Sequence, residues 1–143
     1  MDNLFSEDWA VVATIDPDAN SAGTVVSDTI DMQLWEQIAV ITLVGDLGAS
    51  ASVTTTVKDS SASPFATVSG KTVTVGGTSP NTGSNTQNVI HVRGEELNSN
   101  ARYVYVEHVV ATATSDSAVV VVGKAKYRPA YDNDLASVSS IVN

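Results

Sequence analysis

An all-β fold is predicted by three features of the chain. Trp35 to Val44 is a long apolar run rich in β-branched residues, and Arg102 to Thr112 followed by Ser117 to Arg128 forms a matching pair near the other end. Each run is bounded by glycine or polar turn residues, as strands are. Valine, threonine and serine dominate while aromatic residues make up 6% of the 143 residues, a composition that favours strands joined by polar connections. With 43% apolar residues the chain can bury one core, so a single domain with appendages is expected.

Residues 1–31 are read as an N-terminal arm with short strands. Leu4, Phe5 and Trp9 are spaced among acidic residues, and Asp16, Pro17, Asp18 and Asn20 form a turn cluster. Ala10 to Ile15 and Thr24 to Val26 are each able to add a short strand. Residues 32–128 are assigned to a β-sandwich, in which Trp35 to Val44 opens the regular structure. One face of that run carries Glu36, Ile38, Val40, Thr42 and Val44, and the other Trp35, Gln37, Ala39, Ile41 and Leu43. Both faces are largely apolar from Ile38 onward, so the strand is covered on two sides or its outer face is itself an interface.

Ser52 to Asp59 alternates cleanly, with Val53, Thr55 and Val57 on one side, and is expected to pair antiparallel with the preceding strand. Phe65 to Val68 and Thr72 to Val75 are expected to form a short hairpin around Ser69, Gly70 and Lys71. Gly76 to Thr86 is a low-complexity stretch, read as a long flexible surface loop. Gln87 to Arg93 adds a strand. Ser115 and Asp116 make a tight connection between the last two strands, and the unbroken Val119 to Val122 run implies burial on both faces. Residues 129–143 return to a polar thread, with spaced apolar points at Tyr131, Leu135, Val138 and Ile141, and are read as a C-terminal arm.

Charge and composition exclude several classes of function. Residues 1–57 contain nine acidic side chains and no Lys or Arg, and the formal net charge is −9. That balance argues against a nucleic-acid partner held through its phosphates. Cysteine is absent, which removes disulfides, thiolate catalysis and Cys-based metal sites. No apolar run reaches the roughly 18 residues of a membrane span, and the acidic start MDNLFSEDWA is unlike a basic secretory leader. A soluble intracellular product with no cofactor and no small-molecule substrate is therefore expected.

Candidate chemistry is sparse. His91 and His108, with Glu95, Glu96 and Glu107 nearby in sequence, are the materials for a metal site, yet neither His-x-His nor His-Glu-x-x-His spacing occurs. No Gly-x-Ser-x-Gly elbow marks a nucleophilic serine. Trp35, Tyr103 and Tyr105 are the residues available for an aromatic sugar platform, although packing in a core or interface is their commoner fate.

The stretch WEQIAVITLVGDLGASASVTTTVKDSS, followed by FATVSG, NVIHVRGEEL, NARYVYVEHVVAT and AVVVVGKAKYRPA, resembles small head structural proteins of tailed bacteriophages, among them capsid decoration (cement) proteins. The match covers roughly residues 35 to 129, with Ala66, Thr67 and Val68 and then Arg102, Tyr103 and Val104 in the matching places. The resemblance implies a jelly-roll-like β-sandwich or barrel of about eight antiparallel strands with extended N- and C-terminal arms. It further implies a homotrimer on the outer surface of the virion head, made in the host cytoplasm and bound to the major capsid protein where capsomers meet.

Such a protein needs no reactive group; the arms would grip the shell through Leu4, Phe5, Trp9, Tyr131, Leu135 and Ile141. A tail or connector component with the same sandwich, and a carbohydrate-binding attachment module, remain open alternatives on the sequence.

Overall fold

Alternation along the valine-rich runs sets up two apolar sheet faces, and the computed structural model, which describes residues 4–127 and 137–142, packs them against each other. The strands are β1 (Trp9–Asn20), β2 (Gly23–Val26), β3 (Ile30–Asp31), β4 (Trp35–Leu47), β5 (Ser52–Asp59), β6 (Ala66–Gly76), β7 (Thr86–Arg93), β8 (Tyr103–Ala111) and β9 (Ser115–Ala125). One sheet has the order β1-β9-β4-β7 and the other β2-β8-β5-β6, with β3 also on β8. All pairings are antiparallel. Apart from β2–β3 and β5–β6, successive strands lie in opposite sheets, which makes the domain a jelly roll.

The core is built from alternate residues of both sheets. Ile38 and Val40 of β4, Val92 of β7 and Val119 and Val121 of β9 face Val57 of β5, Val68 of β6 and Val104 and Val106 of β8. All of these side chains are fully buried.

β2 and β3 act as two halves of one edge strand on β8. The break between them is closed by Ser27, whose N–H donates to the Val106 carbonyl and whose Oγ accepts from the Val106 N–H, both at 2.9 Å. Arg102 grips the carboxylate of Asp31 through two nitrogens and so holds β3 in place.

Several expectations differ from this arrangement, among them the connection at Ser115 and Asp116, which instead open β9 and pair with Asn20 and Ala19 of β1. Residues 9–31 lie within the body: β1 pairs with β9 over nearly its whole length, and Ala10, Ala13, Ile15 and Ile30 are buried. The strands expected at Ala10 to Ile15 and Thr24 to Val26 are present, but as parts of the two sheets. β5 pairs with β6 and β8 and lies across the core from β4, where the Thr42 and Thr55 hydroxyls meet at 2.9 Å.

The expected hairpin at Ser69 to Lys71 is one strand, β6, with a bulge. Lys58 faces Thr67 and Thr56 faces Thr72, so the four residues Val68 to Lys71 lie opposite the one residue Val57. Gly70, at φ +72°, allows the chain to leave the ladder and resume in the same direction.

The stretch Gly76 to Thr86 is tied down rather than loose. Asn81 Nδ2 donates to the carbonyls of Ala51 at 2.8 Å and Gly48 at 3.3 Å, and the Gly77 N–H donates to Ala51 as well. Gly76, at φ +86°, passes so close that a Cβ would lie 2.4 Å from the Ala51 carbonyl oxygen.

Candidate functional site

Of the apolar anchors expected at the two chain ends, Phe5, Trp9 and Ile141 share one place, although Phe5 and Ile141 are 136 positions apart in sequence. Phe5 opens a single helical turn, Phe5–Asp8, that leads directly into β1 at Trp9. Their rings stack almost parallel, 3° between planes and 5.9 Å between centroids. The C-terminal residues run beside β1, where Thr14 Oγ1 donates to Ser137 Oγ at 2.6 Å. A groove of about 210 Å³ results, bounded by Phe5, Trp9, Val11, Val138 and Ile141.

Much of this apolar surface faces water. Phe5 is 64% exposed and Ile141 49%, while Trp9 is half-buried. Leu4 and Val142 are exposed too. Leu4 precedes the turn, and its N–H donates to Glu7 Oε2 at 3.2 Å. Tyr131 and Leu135 lie outside the described residues. Neighbouring apolar side chains on a strand edge beside a tied-down terminus are suited to seating against another protein.

The chemical alternatives lose their geometry. His91 is exposed on β7, whereas His108 is buried between the sheets, its Nδ1 3.1 Å from Thr55 Oγ1 and its Nε2 2.9 Å from Ser117 Oγ. Among the described residues no three His, Cys, Asp or Glu side chains are grouped to hold a metal. Glu96 pairs with Lys71 at 2.7 Å, and that hydrogen bond holds its carboxyl below the usual range, as an ion-paired carboxylate and not a poised acid. Trp35 is 3% exposed and so cannot belong to a sugar platform with Tyr103 and Tyr105. Tyr105 stacks on Phe65 at 4.9 Å, and Tyr103 lies under the Arg102 guanidinium.

His108 does carry a consequence for stability. Burial disfavours the imidazolium and lowers its pKa. Above about pH 6.5 the ring is neutral in both folded and unfolded chains. As pH falls below that value the unfolded chain takes up a proton that the folded one refuses, so stability declines by up to about 1.4 kcal/mol per pH unit until the folded pKa is reached. His108→Gln is expected to flatten that decline. Urea midpoints measured from pH 7.5 to 5 check it, and an equal slope in both proteins would count against this account.

The fold defines the chain as a jelly roll with two antiparallel sheets. Neither a family model nor a curated protein matches it. Among solved structures it is similar to a chain of Bacillus endospore appendages, described as disulfide-linked pili, with TM-score 0.48 and 13% identity over 88% of this chain and 98% of that one. It is also similar to a chain of naturally empty cowpea mosaic virus particles, with TM-score 0.48 and 11% identity over 92% of each chain. A chain of broad bean stain virus gives TM-score 0.47 and 10% identity over 92% of this chain and 96% of that one. Likeness at this level carries no inference about what the protein does. No helix among the described residues is long and apolar enough to cross a membrane.

Proposed function

We propose that this chain is a non-enzymatic structural protein of a phage virion, a decoration protein that seats on the outer surface of the assembled head and strengthens contacts between capsomers. The observation that carries the reading is the convergence of Phe5, Trp9 and Ile141 into one exposed apolar patch formed by both chain ends. The resemblance of residues 35 to 129 to head structural proteins supports it.

A protein that binds the closed shell in preference to its loosened state stabilises that shell by linkage, without any bond made or broken. Three copies around a capsomer junction, as the resemblance implies, would raise the effective concentration of each patch at the major capsid protein. Leu4, together with Tyr131 and Leu135 in the C-terminal thread, belongs to the same proposed contact.

The test uses exposed positions, so folding is not at stake. Phe5→Asp combined with Ile141→Asp is expected to weaken binding to heads stripped of this protein by at least about tenfold, since fully burying either side chain is worth about 1.5–3 kcal/mol. Co-sedimentation measures the binding, and the melting temperature of the decorated heads measures the linkage. Wild-type binding and unchanged heat resistance in the double variant would remove the proposal. Binding to tails alone would transfer the role to a tail or connector component.

A further inference from the structure

The two outward sheet faces are unlike. On the β2-β8-β5-β6 sheet, Thr54 and Thr74 bond at 2.9 Å, Thr72 donates to Thr56 at 3.2 Å, and Lys58 pairs with Glu107 at 2.9 Å, giving a ladder of mutually paired polar side chains. The outward face of the β1-β9-β4-β7 sheet is apolar over its two central strands, β9 and β4, with Gln87 and His91 of β7 and Thr14 of β1 at its margins. In its middle row Val120 lies beside Ile41, and Ile41 beside Val89. The next rows carry Val122 beside Ala39 and Ala118 beside Leu43. Val89 is 51% exposed and Leu43 41%, far from the burial that such residues reach in a core.

Charge identifies the occupant of this face. The outward residues of β9 read Asp116, Ala118, Val120, Val122 and Lys124, an acid and a base equidistant from a central valine. The acidic end borders a groove of about 570 Å³ flanked by Asp18 and Asp116, and none of the ion pairs among the described residues includes either. At the other end Lys124 pairs with Glu36 at 2.8 Å, an exposed pair that contributes little by itself.

We propose that a second copy of this chain covers the face, with β9 over β9 and the strands running in opposite directions about a two-fold axis at Val120. Lys124 of each copy then reaches the groove between Asp18 and Asp116 of the other, and the valines meet between them. A surface complementary to itself under such a rotation is the mark of an isologous contact. Eight residues of strand at about 3.3 Å each and three strand spacings of about 4.8 Å outline a footprint on the order of 400 Å² per copy, below the roughly 800 Å² of a standard interface. The pairing is therefore weak and concentration-dependent, and its margin adjoins the terminal patch, because Trp9 and Val11 of β1 lie beside Lys124 and Val122 of β9.

Mass measured by sedimentation equilibrium up to about 1 mM, the weakest affinity considered for such a footprint, tests the proposal. The wild type is expected to double in mass with concentration. Val120→Glu should stay at half the wild-type limiting mass. Lys124→Asp should do the same by setting like charges together, and adding Asp116→Lys should restore the doubling. Circular dichroism verifies that each variant is folded. A wild-type mass that never rises, or doubling unaffected by Val120→Glu and by the single charge reversal, would overturn the two-fold contact. Failure of the double reversal to rescue would overturn its antiparallel register.

Discussion

Trp35→Ala is expected to lower the free energy of unfolding by about 3–5 kcal/mol, the range for truncating a large buried aromatic residue. Trp35 starts β4 and is 3% exposed, with its ring lying over Gly123 of β9. The fit is close: a Cβ at position 123 would sit 2.7 Å from Cε3 and 2.8 Å from Cδ2 of the indole, and 3.0 Å from Val12 Cγ1. Gly123→Ala should therefore also destabilise, by about 1–3 kcal/mol through overpacking.

The combination is the sharper measurement. Removing the indole opens the space that the new methyl group needs, so the double variant should be less damaged than the sum of the two singles by at least about 0.5 kcal/mol. Urea unfolding followed by far-ultraviolet circular dichroism gives all three values. A Trp35→Ala cost below about 1 kcal/mol, or strict additivity, would show that the ring does not fill the core in this way.

Trp35 also illustrates what periodicity can and cannot tell. Alternation in Trp35 to Val44 sorts Ile38, Val40 and Thr42 to one face and Trp35, Ala39, Ile41 and Leu43 to the other, and the buried set is the first together with Trp35, which lies beyond a register shift between Trp35 and Gln37. Period-2 patterning reports which side of a strand is dry, but it is silent on which strand lies alongside. Hence Ser52 to Asp59 was legible as a strand with Val53 and Val57 inward, while its partners β6 and β8 were not.

The N-terminal strand was obscured for another reason. A register shift between Val11 and Ala13 breaks the alternation, so WAVVATI does not read as a regular half-buried strand, although Ala10, Ala13 and Ile15 all enter the core. Of the expected anchors, Phe5, Trp9 and Ile141 were recognisable as apolar points on polar threads. That the two ends meet depends on Thr14 and Ser137, which nothing local in the sequence singles out.

Asp59→Asn is expected to cost about 3 kcal/mol or more at neutral pH, from a change that alters almost no volume. Asp59 ends β5 and is fully buried. Its Oδ1 accepts the Ser61 N–H at 3.1 Å and the Ser61 hydroxyl at 2.6 Å, and its Oδ2 accepts the Asn98 N–H at 2.7 Å. Burial by itself would raise the pKa, but the hydrogen bonds from Ser61 and Asn98 outweigh it and hold the carboxyl below its usual range. An amide in this place offers only one acceptor oxygen. Its NH₂ group must face either the Ser61 or the Asn98 N–H, donor against donor, in a site that water does not reach.

The same geometry fixes a pH window. Because the folded pKa is depressed, the stabilisation is complete above the unfolded value of about 3.9 and is lost as pH falls through the folded pKa. Wild-type stability should therefore drop again below about pH 4, and Asp59→Asn should shrink that acid step to what the ion-paired Asp31 and Glu96 contribute, while leaving intact the decline near pH 6 that belongs to His108. His108→Gln should show the reverse pattern. Urea midpoints for the three proteins between pH 7.5 and 2.5 separate the two groups. If Asp59→Asn kept the wild-type midpoint at pH 7, the carboxylate would not be the tie between the end of β5 and the turn at Asn98 that its hydrogen bonds describe.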